Sequence, residues 1–250
     1  MGYVIAMAGK GGTGKTTLAA LIVRIIKEQK LGSVLAVDAD PNSNLAEALG
    51  VELKTTIGKI LDDICAHPDK VPAGMSKDRF IEYQVQTAIS EGDGFDLLTM
   101  GRPEGPGCYC YVNNVLRNVM SRLIKDYTYI IIDNEAGLEH LSRRTTRSCD
   151  ALLVVSDATT AGLRAAGRII TLARELEIKT KKELLVINCS NKDIASEKIK
   201  DFKLDYLGFV PLDKEVEKAE LSGKSLMDLK EDAVSLSTLR GIGEKIWQRS

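Results

Sequence analysis

Residues 9–16 read Gly-Lys-Gly-Gly-Thr-Gly-Lys-Thr, and no other stretch so narrows the folds open to this chain. The pattern G-x-x-x-x-G-K-[ST] is complete. An apolar run over 4–8 leads into it, and helix-forming residues lead out from 16 to about 30. Gly11, Gly12 and Gly14 let the backbone curl until successive N–H groups, through Thr13, face inward toward phosphate oxygens. The helix starting at Thr16 and Thr17 adds its partial positive end, Lys15 supplies an ammonium, and the Thr16 hydroxyl can bind Mg²⁺. A strand, a phosphate-cradling loop and a helix in that order open an α/β sheet.

Apolar runs recur at 34–37, 97–100, 129–132, 152–155, 184–187 and 206–210, with helical stretches between them. Ile130-Ile131-Ile132 and Leu152-Leu153-Val154-Val155 are apolar on consecutive positions, as strands covered on both faces must be. The alternation predicts a doubly wound, mostly parallel central sheet of about seven strands with helices on both faces. It predicts one P-loop domain over residues 1–250, since the proline-rich stretch 66–76 reads as a surface excursion and not a linker. Basic and acidic residues balance at 34 and 35, so no net field favours nucleic acid or an anionic membrane. The chain shows no targeting signal and no apolar run near the ~20 residues that span a bilayer. Five cysteines, an odd number, point to reduced thiols in the cytoplasm. Cys65, Cys149 and Cys189 read as core thiols.

The remaining polar motifs fall at strand ends. Asp38 and Asp40 place two carboxylates beside the phosphate loop, where they can hold Mg²⁺ through water and orient a water at the γ-phosphate. The alternative is that they cap the helix starting near Asn44. Asp133 follows an apolar run in the manner of a Walker B element, with its carboxylate in the second shell of Mg²⁺, and Gly137 is placed for a backbone contact to the γ-phosphate. Lys10 adds a second cation to the loop. It cannot readily fold back onto a nucleotide already served by Lys15, but it can reach one bound opposite.

With Lys10, the run from 10 to 16 resembles the deviant Walker A loop of the MinD/ParA/nitrogenase-iron-protein class. The resemblance implies ATP as substrate, ADP as product, and face-to-face homodimers in which the equivalent of Lys10 contacts the partner's phosphates. It also implies that Asp40 helps activate water and that Asp38 joins a metal-linked switch. Asn188, at the end of the run 184–187, matches the asparagine that the class sets on the adenine edge, though it can equally cap a turn. The run Gly208-Phe209-Val210-Pro211-Leu212-Asp213 resembles the segment that closes over the base, with Pro211 within it.

Cys108 and Cys110 follow the run 97–100 in a glycine- and proline-rich loop, which is a poor place to bury two thiols. Two cysteines supply half of a four-thiolate site, and two chains meeting about a two-fold axis supply the rest. Together with the stretch from Asp133 to Arg143, the pair resembles the CooC-type nickel-insertion ATPases that mature carbon monoxide dehydrogenase, and a relative serving acetyl-CoA synthase. That resemblance implies Ni or Zn at the dimer interface and a nickel enzyme as client, with neither nucleic acid nor membrane as partner. The competing expectation is a MinD/ParA-like positioning or partitioning ATPase that binds membrane or DNA. It leaves the cysteines unexplained, and the stripe Leu236, Leu239, Ile242 and Ile246 is more simply core-facing.

Overall fold

The computed structural model describes residues 2–102, 110–135, 148–191, 199 and 204–247. Among them, eight strands form one sheet in the order β3-β4-β2-β5-β1-β6-β7-β8. β1 (Tyr3–Gly9), β2 (Val34–Asp38), β4 (Asp96–Thr99), β5 (Tyr129–Asp133), β6 (Ser148–Ser156), β7 (Lys179–Ile187) and β8 (Asp205–Phe209) run parallel to their neighbours. These are the seven expected runs. The eighth strand, β3 (Ser90–Glu91), pairs antiparallel with β4 at the edge. Its return is a tight turn in which Gly92 N–H donates to the Phe95 carbonyl at 2.8 Å. At two residues it is too short to carry an apolar pattern, so nothing in the sequence marks it.

The two-residue period of a strand sends alternate side chains to opposite faces. In β1, Val4, Ala6 and Ala8 enter one core, while Tyr3, Ile5 and Met7 enter the other. The first core is covered by α3 (Ile57–Ala66), α4 (Lys77–Thr87), α5 (Cys110–Asp126) and α6 (Thr160–Glu175). The second is covered by α1 (Lys15–Glu28), α2 (Leu45–Leu49), α7 (Lys214–Leu221) and α8 (Val234–Trp247). The same alternation decides the site. Val34 and Ala36 face the α1 side, so Asp38 does too; Ile131 faces it, so Asp133 does; Val186 faces it, so Asn188 does. All three stand at carboxyl ends of strands, around the point where β1 feeds α1.

The stripe on α8 is committed to the core. Leu236, Leu239 and Ile246 are fully buried, and Ile242 packs against the same cluster. The Tyr3 hydroxyl donates to the Ile246 carbonyl at 2.9 Å, tying the end of α8 to the start of β1. Arg24 on α1, itself buried, donates to Glu28, to the Leu226 carbonyl and to Glu231, and Arg240 on α8 donates to the same two carboxylates. The phosphate-loop helix is thereby clamped to the C-terminal helix. No helix among the described residues is long and apolar enough to cross a membrane.

Candidate active site

β1 is buried along its length and ends in the loop 10–14, whose backbone closes on a single acceptor. The Lys10 carbonyl receives the Thr13 N–H at 3.4 Å, the Thr13 hydroxyl at 2.9 Å and the Lys15 ammonium at 3.3 Å. Gly14 precedes α1 in the left-handed region at φ 81°. A methyl group there would overlap the side-chain amide of Asn188, so both the backbone angle and the space demand glycine. No side chain caps α1 and its first turn holds no acidic residue. Its leading N–H groups are therefore left for an anion.

Lys15 is buried, and burial lowers its pKa, while the carboxylates of Asp133, Asp40 and Glu135 act in the opposite sense. The Thr16 hydroxyl donates to Asp133 Oδ2 at 2.6 Å. Asp133 is 1% exposed, and its other oxygen, Oδ1, has no hydrogen-bond partner among the described residues. Burial pushes its carboxyl up to about 6 against the opposing pull of Thr16 and Lys15. A buried carboxylate oxygen without a partner is costly unless a further group completes it. Beside a threonine hydroxyl, this set of hard oxygen donors fits a hydrated Mg²⁺.

Asp38 is fully buried. Its Oδ1 accepts the Asp40 N–H at 3.1 Å and its Oδ2 the Leu45 N–H at 2.9 Å. The capping alternative thus describes Asp38, which reaches seven residues ahead to the first residue of α2; Asn44, next to that helix, makes no side-chain cap. Burial pushes the Asp38 carboxyl up to about 7, the two N–H donors acting against it and the neighbouring Asp133 charge with it. Asp40 is half-buried, with Oδ1 accepting the Asn42 N–H at 2.9 Å. The strand ladder continues into these loops, with the Ala39 N–H donating to the Asp133 carbonyl and the Met100 N–H to the Asp38 carbonyl. Asn134 braces the other side, its amide donating to the Met7 carbonyl at 2.8 Å.

Asn188 is buried, and its amide donates to the Thr13 carbonyl at 2.9 Å. This residue ties the end of β7 to the phosphate loop, and among the described residues its side chain makes no bond to the turn after it. Half-buried Pro211 follows Val210, whose N–H donates to the Ile187 carbonyl at 2.7 Å, so the segment holding it is seated beside Asn188. Asp213 secures that segment by capping two helices, accepting the Glu215 N–H of α7 and both the N–H and the hydroxyl of Ser235 on α8.

Gly11, Gly12 and Lys10 are exposed at the loop's outer rim, and Lys10 makes no ion pair among the described residues. Cys110 is the first residue of α5, which follows β4 on the same edge of the sheet as Asp38. Cys108 and Gly137 lie outside the described residues. Among the described residues no group of three or more His, Cys, Asp or Glu is placed to hold a metal ion. Cys149 is the expected core thiol, its pKa pushed up to about 12 by burial, and Cys65 is partly buried against the same core. Cys189 is not a core thiol: it is exposed at φ 53°, where the chain turns out of β7 just after Asn188.

One contact at the site has no forerunner in the sequence. The Thr17 hydroxyl donates to Glu220 Oε1 of α7 at 2.7 Å, across 203 residues. Glu220 belongs to no motif and its spacing to the loop is arbitrary, so only the packing of α7 against α1 could reveal it.

Comparison with known proteins agrees with this geometry. Residues 4–226 match the family described as the CobQ/CobB/MinD/ParA nucleotide binding domain. The chain is 42% identical over 248 residues to an uncharacterized ATP-binding protein of Methanocaldococcus jannaschii, covering 97% of this chain and 98% of that protein. It is 29% identical over 236 residues to the carbon monoxide dehydrogenase accessory protein CooC of Rhodospirillum rubrum, covering 90% of this chain and 89% of that one. Among solved structures, the septum site-determining protein MinD of Pyrococcus horikoshii in complex with Mg-ADP superposes with a TM-score of 0.72. At 21% identity, covering 99% of this chain and 97% of that one, the likeness is one of fold.

Proposed function

Because the chain belongs to the CobQ/CobB/MinD/ParA nucleotide-binding family and is a P-loop ATPase, we propose that it is a metallochaperone ATPase acting as a homodimer. Its cargo is nickel or zinc, and its client is a nickel enzyme, carbon monoxide dehydrogenase or acetyl-CoA synthase. The observation that carries the reading is the Cys108-Tyr109-Cys110 run after β4, in a chain similar to the CooC accessory protein along most of its length. The alternative, a positioning ATPase on membrane or DNA, gives these cysteines no work.

The mechanism follows from the loop outward. N–H groups from Gly11 to Thr17 and the Lys15 ammonium bind the phosphates, and Asn188 and the segment around Pro211 hold the base. The Thr16 hydroxyl, with Asp133 behind it, would hold Mg²⁺, which when bound would offset phosphate charge. Asp40 orients the attacking water, while Asp38, saturated by backbone N–H groups, fixes the loop that carries Asp40. Lys10 reaches across to the nucleotide of the second subunit, and Gly137 senses the γ-phosphate. Closure on ATP brings Cys108 and Cys110 of both chains together as four thiolates, and hydrolysis parts them. Metal and nucleotide are then linked ligands, each changing the affinity of the other by the same factor.

The test is metal analysis of the purified chain with ADP or a non-hydrolysable ATP analogue, comparing wild type with Cys108→Ser/Cys110→Ser. About one metal ion per dimer is expected, lost in the double variant. Equal metal in both would refute the cysteine site. In parallel, Lys10→Ala should remain monomeric with the ATP analogue; wild-type dimerisation would remove its role across the interface.

A further inference from the structure

Asp40 stands on the loop between β2 and α2, and α2 is held at both ends. At its start the Leu45 N–H donates to Asp38 Oδ2 at 2.9 Å, and Leu45 itself is fully buried. The loop before it is pinned by the Asp40 N–H on Asp38 Oδ1 and by the Ala39 N–H on the Asp133 carbonyl. At its end Gly50 takes φ 68°, and the N–H groups of Gly50 and Val51 return to the carbonyls of Glu47 and Ala46. That left-handed closure is a glycine position. With five residues, α2 is a strut of about 7.5 Å whose two ends cannot move independently.

The far end of α2 meets Ser225. The Ser225 hydroxyl donates to the Ala48 carbonyl at 3.3 Å, and a methyl group on Gly50 would lie 2.7 Å from Ser225 Cβ and 2.8 Å from its Oγ. Nothing can be added at this joint without moving one side of it. Ser225 belongs to the segment that begins beside Asn188. From Pro211 that segment passes through the Asp213 cap into α7. It leaves α7 by a turn in which the N–H groups of Ser222, Gly223 and Lys224 donate to the carbonyls of Lys218, Glu220 and Ala219. Ser225 then accepts the Met227 N–H at 3.0 Å, while Arg24 and Thr17 of α1 hold the Leu226 carbonyl and Glu220. Hydrogen bonds thus follow the chain from Asp213 to Leu226 and make it one body with the end of α2.

We propose that Ser225 and Gly50 are positioning residues for ATP hydrolysis: they join the segment beside the base to α2, and through α2 they set where Asp40 stands. The base end and the γ-phosphate end of the nucleotide are then read by one rigid unit. A base that seats the segment from Pro211 onward holds Asp40 at the water, and one that does not leaves it displaced. Specificity is therefore expressed in turnover, because a wrong base costs kcat as well as affinity. The proposal rests on Asp40 as the residue that orients the water. It needs no metal cargo, so its test omits nickel and zinc.

Phosphate release is measured on the full chain at saturating Mg²⁺ with ATP and with CTP, which keeps the sugar and triphosphate and changes the base. Wild type is compared with Gly50→Ala, which wedges the joint, and with Ser225→Ala, which only removes its hydroxyl and carries the test if the first variant does not fold. Wild type should turn over ATP with the higher kcat. Both variants should lose about fivefold or more in kcat on ATP, with KM within about threefold and kcat on CTP nearly unchanged. Equal kcat on ATP and CTP in wild type would overturn the proposal, as would ATP turnover within about twofold of wild type in the variants. A raised KM with kcat unchanged would overturn it by making the joint a determinant of binding alone. An equal loss on both nucleotides would do so by making it a general brace of the fold. Asp40→Ala, measured beside them, separates the reading beneath. Turnover kept in that variant would remove Asp40 and the proposal with it, whereas turnover lost there but kept in the joint variants would overturn the joint alone.

Discussion

Replacing Asp38 with Asn tests how the buried acid shapes the protein's stability. Asp38 has no exposed surface, and burial raises its pKa to about 7 from an ordinary 3.8, even though two backbone N–H groups favour the charge. In the unfolded chain the carboxyl ionises near its ordinary value. Between about pH 4 and pH 7 the folded state therefore holds a proton that the unfolded state has released. Unfolding free energy must fall as pH rises through that window, by about 1.4 kcal/mol per pH unit, and level off above the folded pKa. The whole span is about 4 kcal/mol, and the part between pH 5 and pH 8 is about 3 kcal/mol. Asn cannot ionise, so Asp38→Asn lacks this slope. Asn can accept only one of the two N–H bonds, but that loss is nearly constant with pH and drops out of the comparison. Urea unfolding of the nucleotide-free chain in chelator, at fixed ionic strength and at pH 5, 6, 7 and 8, reads the difference directly. The expectation is that the variant gains about 3 kcal/mol on wild type between the ends of the series. Parallel pH profiles would refute the reasoning, because they would mean that Asp38 ionises as easily in the fold as out of it.

Two further substitutions follow from the geometry. Gly14→Ala forces a left-handed residue to carry a methyl group into the Asn188 amide; it should cost about 1–3 kcal/mol in urea unfolding and weaken ADP binding by roughly tenfold or more. Unchanged affinity in a titration with a fluorescent ADP analogue would show that the loop does not need this conformation. Asp213→Ala deletes three hydrogen bonds that cap α7 and join it to α8, and should cost about 2–4 kcal/mol of stability. A loss below about 0.5 kcal/mol in the same unfolding assay would mean the double cap is not holding those helices.

Local chemistry alone settled a large share of this protein. The loop 9–16 could be read because phosphate binding, left-handed backbone and helix initiation all act within a few residues. The seven parallel strands could be read because a strand buried on both faces must be apolar at consecutive positions, as 130–132 and 152–155 are. The stripe on α8 faced the core as its spacing required. Sequence was silent where function depended on which elements became neighbours. Asn188 bonding to Thr13 and Thr17 to Glu220 join residues 175 and 203 positions apart. Such pairs leave no periodic trace, because any side chain of the right reach can meet another once strand order has been decided. The roles of Asp38 and Asp40 were undecided for the same reason. Only the packed sheet end, where Asp38 lies in register with Asp133 and out of water, made one carboxylate a brace and left the other at the rim.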